Sequence, residues 1–568
     1  MVIITRNCHG YYETFLSLNH ISLKESEKHI TPKVTLLFKM IAVLLPFLLI
    51  GILEFTLRLC NYGYDLSLFT EFPGDKRFLM FNPHASRKYF PTPDFAAVGN
   101  QELFKKKKEN HTFRIFVLGE STTIGYPYFH NGSFHRWLLY RLMHSYPDKQ
   151  FEIINLSLTA VNSYTVRGFA KELAKFQPDA VCIYCGQNEY YGALGIGSSQ
   201  YIGSNPALVH FIISLRQLRT VQLLTNLYYK TYGLNTKGMK QDVTRMEMMA
   251  DKQEIPFQSD LYYQGIHQFR VNMDATFRIL QDQHIPVFIS NLVSNIKDLP
   301  PFINDSTDYY ESATLALSKQ DYPLAETCFI QAKEHDKLRF RAPEALNNII
   351  DSLCRIYPDV FLADTRSEFR NHSEGNLPGD NLFTDHVHPN LTGYYLMSNA
   401  FYNALQSSKL LPVTKNELTE KQLAEEMPVS VIDSLAGNLR IQNLKGHWPF
   451  NDKRYKTLTI PENNPEEIMA ARLFRKEIGW LNAHNQLYIY YNRQNQVDKA
   501  LSIAESSVLE YAEDPAFYEK AAIDNARIDR IEKAAFYMRK ACMLAPKHQK
   551  AHYQQALNYI NKKKNTNE

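Results

Sequence analysis

The chain is 568 residues long, too long for one compact domain, so two or three are expected. Hydrophobic residues make up 45% and charged residues 21%, the balance of an ordinary folded protein rather than a disordered one. A net charge of +4 is small for this length and gives no reason to expect nucleic acid as a partner.

Residues 1–33 form a polar lead with no clear period, read as a cytoplasmic tail. Val34 to Leu59 is the main apolar stretch. Its uncharged centre, Met40 to Leu53, is too short to span a bilayer. With Lys39 snorkelling and the flanks included, 34–59 reaches the roughly 20 residues a transmembrane helix needs. Lys24, Lys28, Lys33 and Lys39 precede or open the span, and Arg58 is the nearest positive charge beyond it. That asymmetry puts the N-terminus in the cytoplasm and the rest outside, in the periplasm or at the cell surface. No small-residue cleavage pattern follows, and Leu57-Arg58-Leu59-Cys60 is a poor lipoprotein site, so an uncleaved anchor is expected. Pro73, Pro83, Pro91 and Pro93 make 60–110 an irregular linker. Lys105 to Lys108 read as a solvated loop.

Five strand-like runs follow: Phe113 to Leu118, Phe151 to Leu158, Ala180 to Cys185, Val287 to Ser290 and Val360 to Ala363. They are rich in Val, Ile and Phe and do not alternate, the pattern of strands buried on both faces. Helical stretches such as Phe134 to Ser145 and Thr165 to Phe176 separate them. Strand and helix repeated in this way predict an α/β fold with a parallel sheet, its ligands bound beyond the carboxyl ends of the strands. The cysteines Cys8, Cys60, Cys182, Cys185, Cys328, Cys354 and Cys542 are an odd, scattered set, not a disulfide framework. Cys182 and Cys185 lie within the third strand-like run and read as core packing rather than redox or zinc chemistry.

Two stretches break the rhythm. At about 305–345, Ala313, Ala325, Phe329 and Ala332 occupy the small and aromatic positions of a tetratricopeptide helix pair. After a helical linker at 410–465, residues 466–562 carry a second such region. Ala500 and Ala534 are 34 residues apart, as are Ser507 and Ala541, and Tyr518, Ala522 and Pro546 complete one repeat. Such helix pairs are expected to bind a protein partner. Truncation before about residue 460 is expected to spare the preceding α/β part. Lys562 to Glu568 read as a frayed polar end.

Four separated segments carry the chemistry: Gly119-Glu120-Ser121, Asn155 to Ser163, Gly186-Gln187-Asn188-Glu189 and Asp385-His386-Val387-His388. A serine hydroxyl needs a base to take its proton as it attacks. His388 can be that base for Ser121, and Asp385, three residues earlier, can hold the imidazole and stabilise its cation. His386, next to Asp385, is the rival base. Attack on an ester carbonyl leaves an oxyanion, for which Asn188 and the backbone N–H groups of Ser121 and of the second segment are candidate donors.

These four segments resemble the four blocks of the SGNH (GDSL-type) hydrolase superfamily over about 111–409. The resemblance implies a flavodoxin-like three-layer α/β/α sandwich and the hydrolysis or transfer of acyl groups. It implies Ser121 as nucleophile, Asp385 and His388 as the rest of a triad, and Ser121, Ala160 and Asn188 as the oxyanion hole. The order of anchor, hydrolase domain and C-terminal tetratricopeptide repeats also resembles a set of bacterial membrane proteins. Two positions depart from the family pattern. Glu120 stands where the family usually has Asp, which is not the triad acid. Ala160 stands at the oxyanion glycine: its N–H survives, but a glycine-only backbone angle would not. Either the loop is rearranged or the donor is lost, and Tyr164, Thr159 and Ser163 are the candidates to compensate.

The expectation is a membrane-anchored O-acyl esterase of the cell envelope, acting on an acylated glycan or lipid and needing no cofactor and no metal. An O-acyltransferase on an envelope polysaccharide is the close alternative. A non-catalytic repeat scaffold with a relic SGNH domain is the alternative of another class.

Overall fold

The computed structural model describes residues 32–90, 95–231, 244–250 and 253–567. It comprises two compact units, Met1–Tyr62 and Gly63–Glu568. In the first, helix α1 runs Pro32–Leu59. Its apolar part, Phe38–Leu59, has 22 residues. At about 1.5 Å per residue that is about 33 Å, enough for a hydrocarbon core of about 30 Å. Among the described residues it is the one helix long and apolar enough to cross a membrane. Lys24 and Lys28, on which the expected orientation leans, lie outside the described residues, as do Cys8, Pro91, Pro93 and Glu568, and nothing is assigned to the side chain of Lys33.

The second unit is mostly helical around a parallel sheet. It opens with a small antiparallel sheet of β1 (Phe69–Glu71), β2 (Phe78–Phe81) and β3 (Leu103–Lys105), in that order. The stretch expected to be irregular therefore carries strands, each of three or four residues and too short to show a period. Lys105, Lys106 and Lys108 are paired there with Glu109, Glu71 and Asp179.

The main sheet contains β4 (Thr112–Gly119), β5 (Gln150–Asn155), β6 (Ala180–Tyr184), β7 (Val287–Ser290) and β8 (Val360–Ala363), all parallel and in the order β5-β4-β6-β7-β8. Its middle strands are buried on both faces, which is why Ile115, Phe116, Val117 and Leu118 run without alternation. The chain steps from β4 to one side, then back across it to β6, β7 and β8. With right-handed crossovers that reversal puts the connecting helices on opposite faces. Four helices precede or follow the first crossings: α2 (Ser121–Ile124), α3 (Phe134–Ser145) and α4 (Ser163–Leu173), then, after β6, α5 (Pro206–Leu215). The same long connection from β6 to β7 holds α6 (Arg219–Thr231), α7 (Arg245–Ala250) and α8 (Asp260–Gln281), an insertion with no motif to announce it. Between β7 and β8 stand α9 (Tyr309–Ser318), α10 (Tyr322–Glu334) and α11 (Glu344–Ile356). The pair α9 and α10 buries Ala313, Ala325, Phe329 and Ala332. After β8 come α12 (Thr365–Asn371) and α13 (Leu391–Ser407). Helix α13 packs on α3, and α8 packs on both α4 and α11, one group for each face.

The remaining chain is helical: α14 (Glu420–Glu426), α15 (Val431–Lys445), α16 (Pro465–Phe474), α17 (Trp480–Arg493), α18 (Val497–Glu510), α19 (Pro515–Arg527), α20 (Ile531–Leu544) and α21 (Lys550–Asn567). From α15 onward each helix packs on the next. The end expected to fray is helical to Asn567. These helices are not a loose appendage. One buried apolar cluster runs from Leu68 in the small sheet's neighbourhood to Ile560 in α21. Polar contacts join the same surfaces. Asn131 Nδ2 donates to the Ser506 carbonyl at 2.7 Å, and Lys540 Nζ donates to the Lys149 carbonyl at 2.7 Å.

Glu510 at the end of α18 lies 2.7 Å from His130 Nδ1 and accepts from Arg136 Nη2 at 3.3 Å. Burial pushes its carboxyl up, but His130 and Arg136 outweigh it and hold Glu510 at about 2 against an ordinary 4.5. A depressed carboxyl adds stability that is present above the ordinary value and lost as the pH falls through the folded one. Glu510→Gln is therefore expected to cost about 1.5–3 kcal/mol at pH 5, the usual range for a hydrogen bond to a charged group. The gap from wild type, measured as urea midpoints, should close as the pH approaches 2. A gap that persists there would mean that the contact does not act through charge.

Candidate active site

The first segment leaves β4 through Gly119. A Cβ there would lie 2.1 Å from the Tyr184 carbonyl and 2.2 Å from Thr123 Oγ1, so only glycine lets this strand end press against β6. Ser121 is then the first residue of α2, where a helix leaves its backbone N–H without a partner inside the helix.

The fourth segment is folded by its own carboxylate. Asp385 Oδ1 accepts from the N–H groups of Val387 at 3.0 Å and His388 at 2.9 Å, bending the chain back. Thr122 Oγ1 donates to the Val387 carbonyl at 3.3 Å, tying this turn to the serine loop. Asp385 Oδ2 then lies 2.6 Å from His388 Nδ1, and His388 Nε2 lies 2.8 Å from Ser121 Oγ. Burial pushes the Asp385 carboxyl up, but the imidazoles of His388 and His386 pull it well below the carboxylate range. Asp385 is thus a fixed negative charge behind His388, where it can favour the tautomer that presents a bare Nε2 to the serine and can stabilise the cation formed on proton transfer.

His386 is not so placed. Its Nδ1 is 3.2 Å from Asp385 Oδ1 without a hydrogen-bond alignment, and its ring packs against Phe302, Phe340 and Phe450. Burial holds it below its ordinary pKa. Asp385, His386 and His388 also bring three potential metal-ligand atoms within 4.8 Å of one another. Both ring nitrogens of His388 are already engaged, by Asp385 and Ser121.

Glu120 organises the third segment. Its carboxylate accepts from the N–H groups of Gly186 and Asn188, each at 3.0 Å, and from the Cys185 thiol at 3.3 Å. Burial pushes it up to about 7 against those bonds. The Asn188 side-chain amide has no hydrogen bond among the described residues and lines the same cavity as Ser121. Glu189 faces the other way, buried against Ser163 and Gln268, and burial pushes it up to about 8.

In the second segment Ala160 has φ +58°. The loop therefore keeps the left-handed angle with an alanine, at a cost of roughly 1–2 kcal/mol. Ala160 lines the cavity, and its carbonyl accepts from the Ala193 N–H at 2.9 Å. Of the side chains considered as substitutes, Ser163 is spent on Glu189 and Tyr164 is buried beside His210, while Thr159 lines the cavity.

The cavity measures about 320 Å³ and joins Ser121, Ala160, Asn188, His386 and His388. Its other walls carry no motif: Tyr126 and Phe129 follow the serine loop, Tyr191 follows the third segment, Arg245 and Met249 come from α7, and Asn443 and Leu444 from α15. Sequence reasoning missed these residues because only the fold brings them together. The arrangement can activate a hydroxyl, and it places candidate oxyanion donors around one small space.

No family model and no curated protein matches the chain. Among solved structures, a GDSL-like lipase from Bacteroides thetaiotaomicron VPI-5482 is 10% identical, with 54% of this chain and 93% of that one covered and a TM-score of 0.28. A catalytic mutant of an acetylxylan esterase from Geobacillus stearothermophilus is 11% identical, with 53% and 96% covered and a TM-score of 0.28. A putative acylhydrolase from Bacteroides fragilis NCTC 9343 is 12% identical, with 55% and 93% covered and a TM-score of 0.26. A likeness of this strength decides nothing about the chemistry, which rests on the residues of this chain.

Proposed function

We propose that the chain is an SGNH-type serine hydrolase that acts on O-acyl esters at the cell envelope. The observation that carries this reading is the unbroken relay from Asp385 through His388 to Ser121, at 2.6 and 2.8 Å, facing the cavity. In this reading Ser121 Oγ bonds to the acyl carbon while its proton passes to His388 Nε2. The oxyanion is held by the N–H groups of Ser121 and Ala160 and by the Asn188 amide, each such donor contributing about 10²–10³ in rate. Collapse breaks the ester bond, and the alcohol leaves with the proton from His388. Water, activated by the same imidazole, then releases the acid and frees Ser121.

The sheet order is that of flavodoxin-like doubly wound folds, which supports the three-layer sandwich for 111–409, with the pair α9–α10 as its insertion. The further organisation proposed is a cytoplasmic tail at 1–33, a transmembrane helix at 34–59, and a tetratricopeptide-like array at 466–562 that binds a protein partner. The test of function is turnover of short and long para-nitrophenyl esters by the detergent-solubilised protein, together with mass spectrometry of acyl groups on an added acceptor sugar. Acid released without acylated sugar supports the esterase; acylated sugar identifies a transferase; neither sinks the reading.

Topology has its own test. A reporter fused after Glu568 is expected to behave as extracytoplasmic, and one fused before Val34 as cytoplasmic. A cytoplasmic signal from the C-terminal fusion would overturn the envelope substrate.

A further inference from the structure

Arg245 opens α7 and lines the cavity around Ser121. Among the described residues its one hydrogen bond runs from Nη1 to Thr159 Oγ1 at 3.0 Å, and the rest of its donor fork has no described partner. No described carboxylate pairs with it, and burial lowers its pKa. Several other buried guanidinium groups in this protein are matched by a carboxylate, whereas Arg339 and Arg440 donate to the Glu334 and Pro127 carbonyls. Arg114 meets Glu152 at 2.6 Å, Arg136 meets Glu102 at 3.3 Å, and Arg341 meets Asp336 at 3.2 Å.

Among the described residues, the cavity wall around Arg245 contains no Asp and no Glu. Of the residues there that can be cationic, His386 is kept toward its neutral form by burial, and His388 is committed to the relay. Among the described residues Arg245 alone carries a permanent charge to the cavity wall, since a guanidinium does not lose its proton in proteins. A partly buried charge with no counter-ion among the described residues is unfavourable until an anion reaches it. A planar guanidinium held by one hydroxyl is suited to a carboxylate or a phosphate.

We infer that Arg245 forms an anion subsite beside Ser121, and that the ester taken by this cavity carries a carboxylate or phosphate group. The inference rests on the esterase reading and narrows its substrate class to anionic esters. The charge can sit on the alcohol part or on the acyl part of the ester, and the two are separable by assay.

The full chain in detergent is assayed with matched pairs. Methyl para-acetoxybenzoate against para-acetoxybenzoate places a carboxylate on the alcohol part, and para-acetoxyphenyl phosphate places a phosphate there. Para-nitrophenyl hexanoate against mono-para-nitrophenyl adipate places a carboxylate on the acyl part. After subtraction of spontaneous hydrolysis, the anionic member of at least one pair is expected to show kcat/KM about 10- to 100-fold higher. The ratio should fall to near unity in Arg245→Gln, survive in part in Arg245→Lys, and shrink with added salt. Melting curves establish that the variants fold, and Arg245→Lys serves if Arg245→Gln does not. A ratio near unity for the wild type in every pair, or one that survives Arg245→Gln, overturns the inference. Calorimetry of para-hydroxybenzoate with Ser121→Ala distinguishes the two possible failures. Binding that disappears when Arg245→Gln is added supports the subsite even if no ester is turned over, and the esterase reading alone then fails. Ester turnover without any anion preference or binding removes the subsite and leaves the esterase.

Discussion

Ser121→Ala is expected to remove ester turnover by about 10⁴-fold or more, while the melting temperature stays within about 2 °C of wild type. In the proposed reaction the hydroxyl is the nucleophile, and it adds little to the packing, since its partner is the imidazole across the cavity. His388→Ala should match that loss, because among the described residues no other imidazole reaches Ser121 Oγ. His386→Ala should lose much less: His386 has the same Asp385 beside it but faces an aromatic wall. Equal losses at the two histidines, read as kcat/KM on one activated ester, would reject His388 as the base. Unchanged turnover in Ser121→Ala would reject the nucleophile.

Truncation before residue 460 is expected to destroy the fold and the activity together. From the ends of the four segments alone, the shortened chain would have been expected to stay active. The packing reverses that expectation. Removing α16 to α21 takes Phe536 from its stacking on His144, Trp480 from beside His130, and Glu510 from Arg136. It also strips buried Ile503, Ala504, Val508, Tyr518, Tyr537 and Met538 from the core. Each large apolar side chain is worth about 1.5–3 kcal/mol when fully buried. A protein has a net stability of about 5–15 kcal/mol, so a loss on this scale exceeds it. The surviving α15 would also lose its support on α16, and α15 holds Asn443 and Leu444 in the cavity wall. Circular dichroism and an ester assay on 1–459 check this. A folded, active truncation would show that the C-terminal helices are a separate module after all.

The sheet was legible in the sequence because its strands are buried on both faces and so appear as unbroken apolar runs. Val287–Ser290 and Val360–Ala363 have the bounds read from sequence, and the second run ends at Asn155 rather than Leu158 because the chain there turns into the site loop. The four segments were legible as one candidate site because each carries side chains suited to a single proposed chemistry, and the fold brings Ser121, Asn188, Asp385 and His388 together. The small sheet of β1 to β3 was not, since strands of three or four residues have no measurable period. Arg245 was not either: a lone arginine at the start of a six-residue helix looks like any solvated charge until the fold sets it beside Ser121. The attachment of the C-terminal helices was hidden for another reason. Residues such as Ala504 and Val508 satisfy a helix-pair pattern and a tertiary interface at once, and the pattern alone does not say which surface they meet.

Ala160 has a consequence for how such sites change over time. Its positive φ is held from outside: by the bond from Ala193 to its carbonyl, and by Asn162, whose side chain accepts from the Tyr164 N–H and starts α4 two residues on. The shape of the loop is thus stored in its neighbours rather than in the residue that adopts it. Alanine and glycine codons differ at one base, so a lineage can pass between them in one mutational step, with roughly 1–2 kcal/mol of strain as the barrier and no rebuilding of the loop. A position of this kind can drift in letter while its geometry stands still, and a pattern written in letters will pass over it.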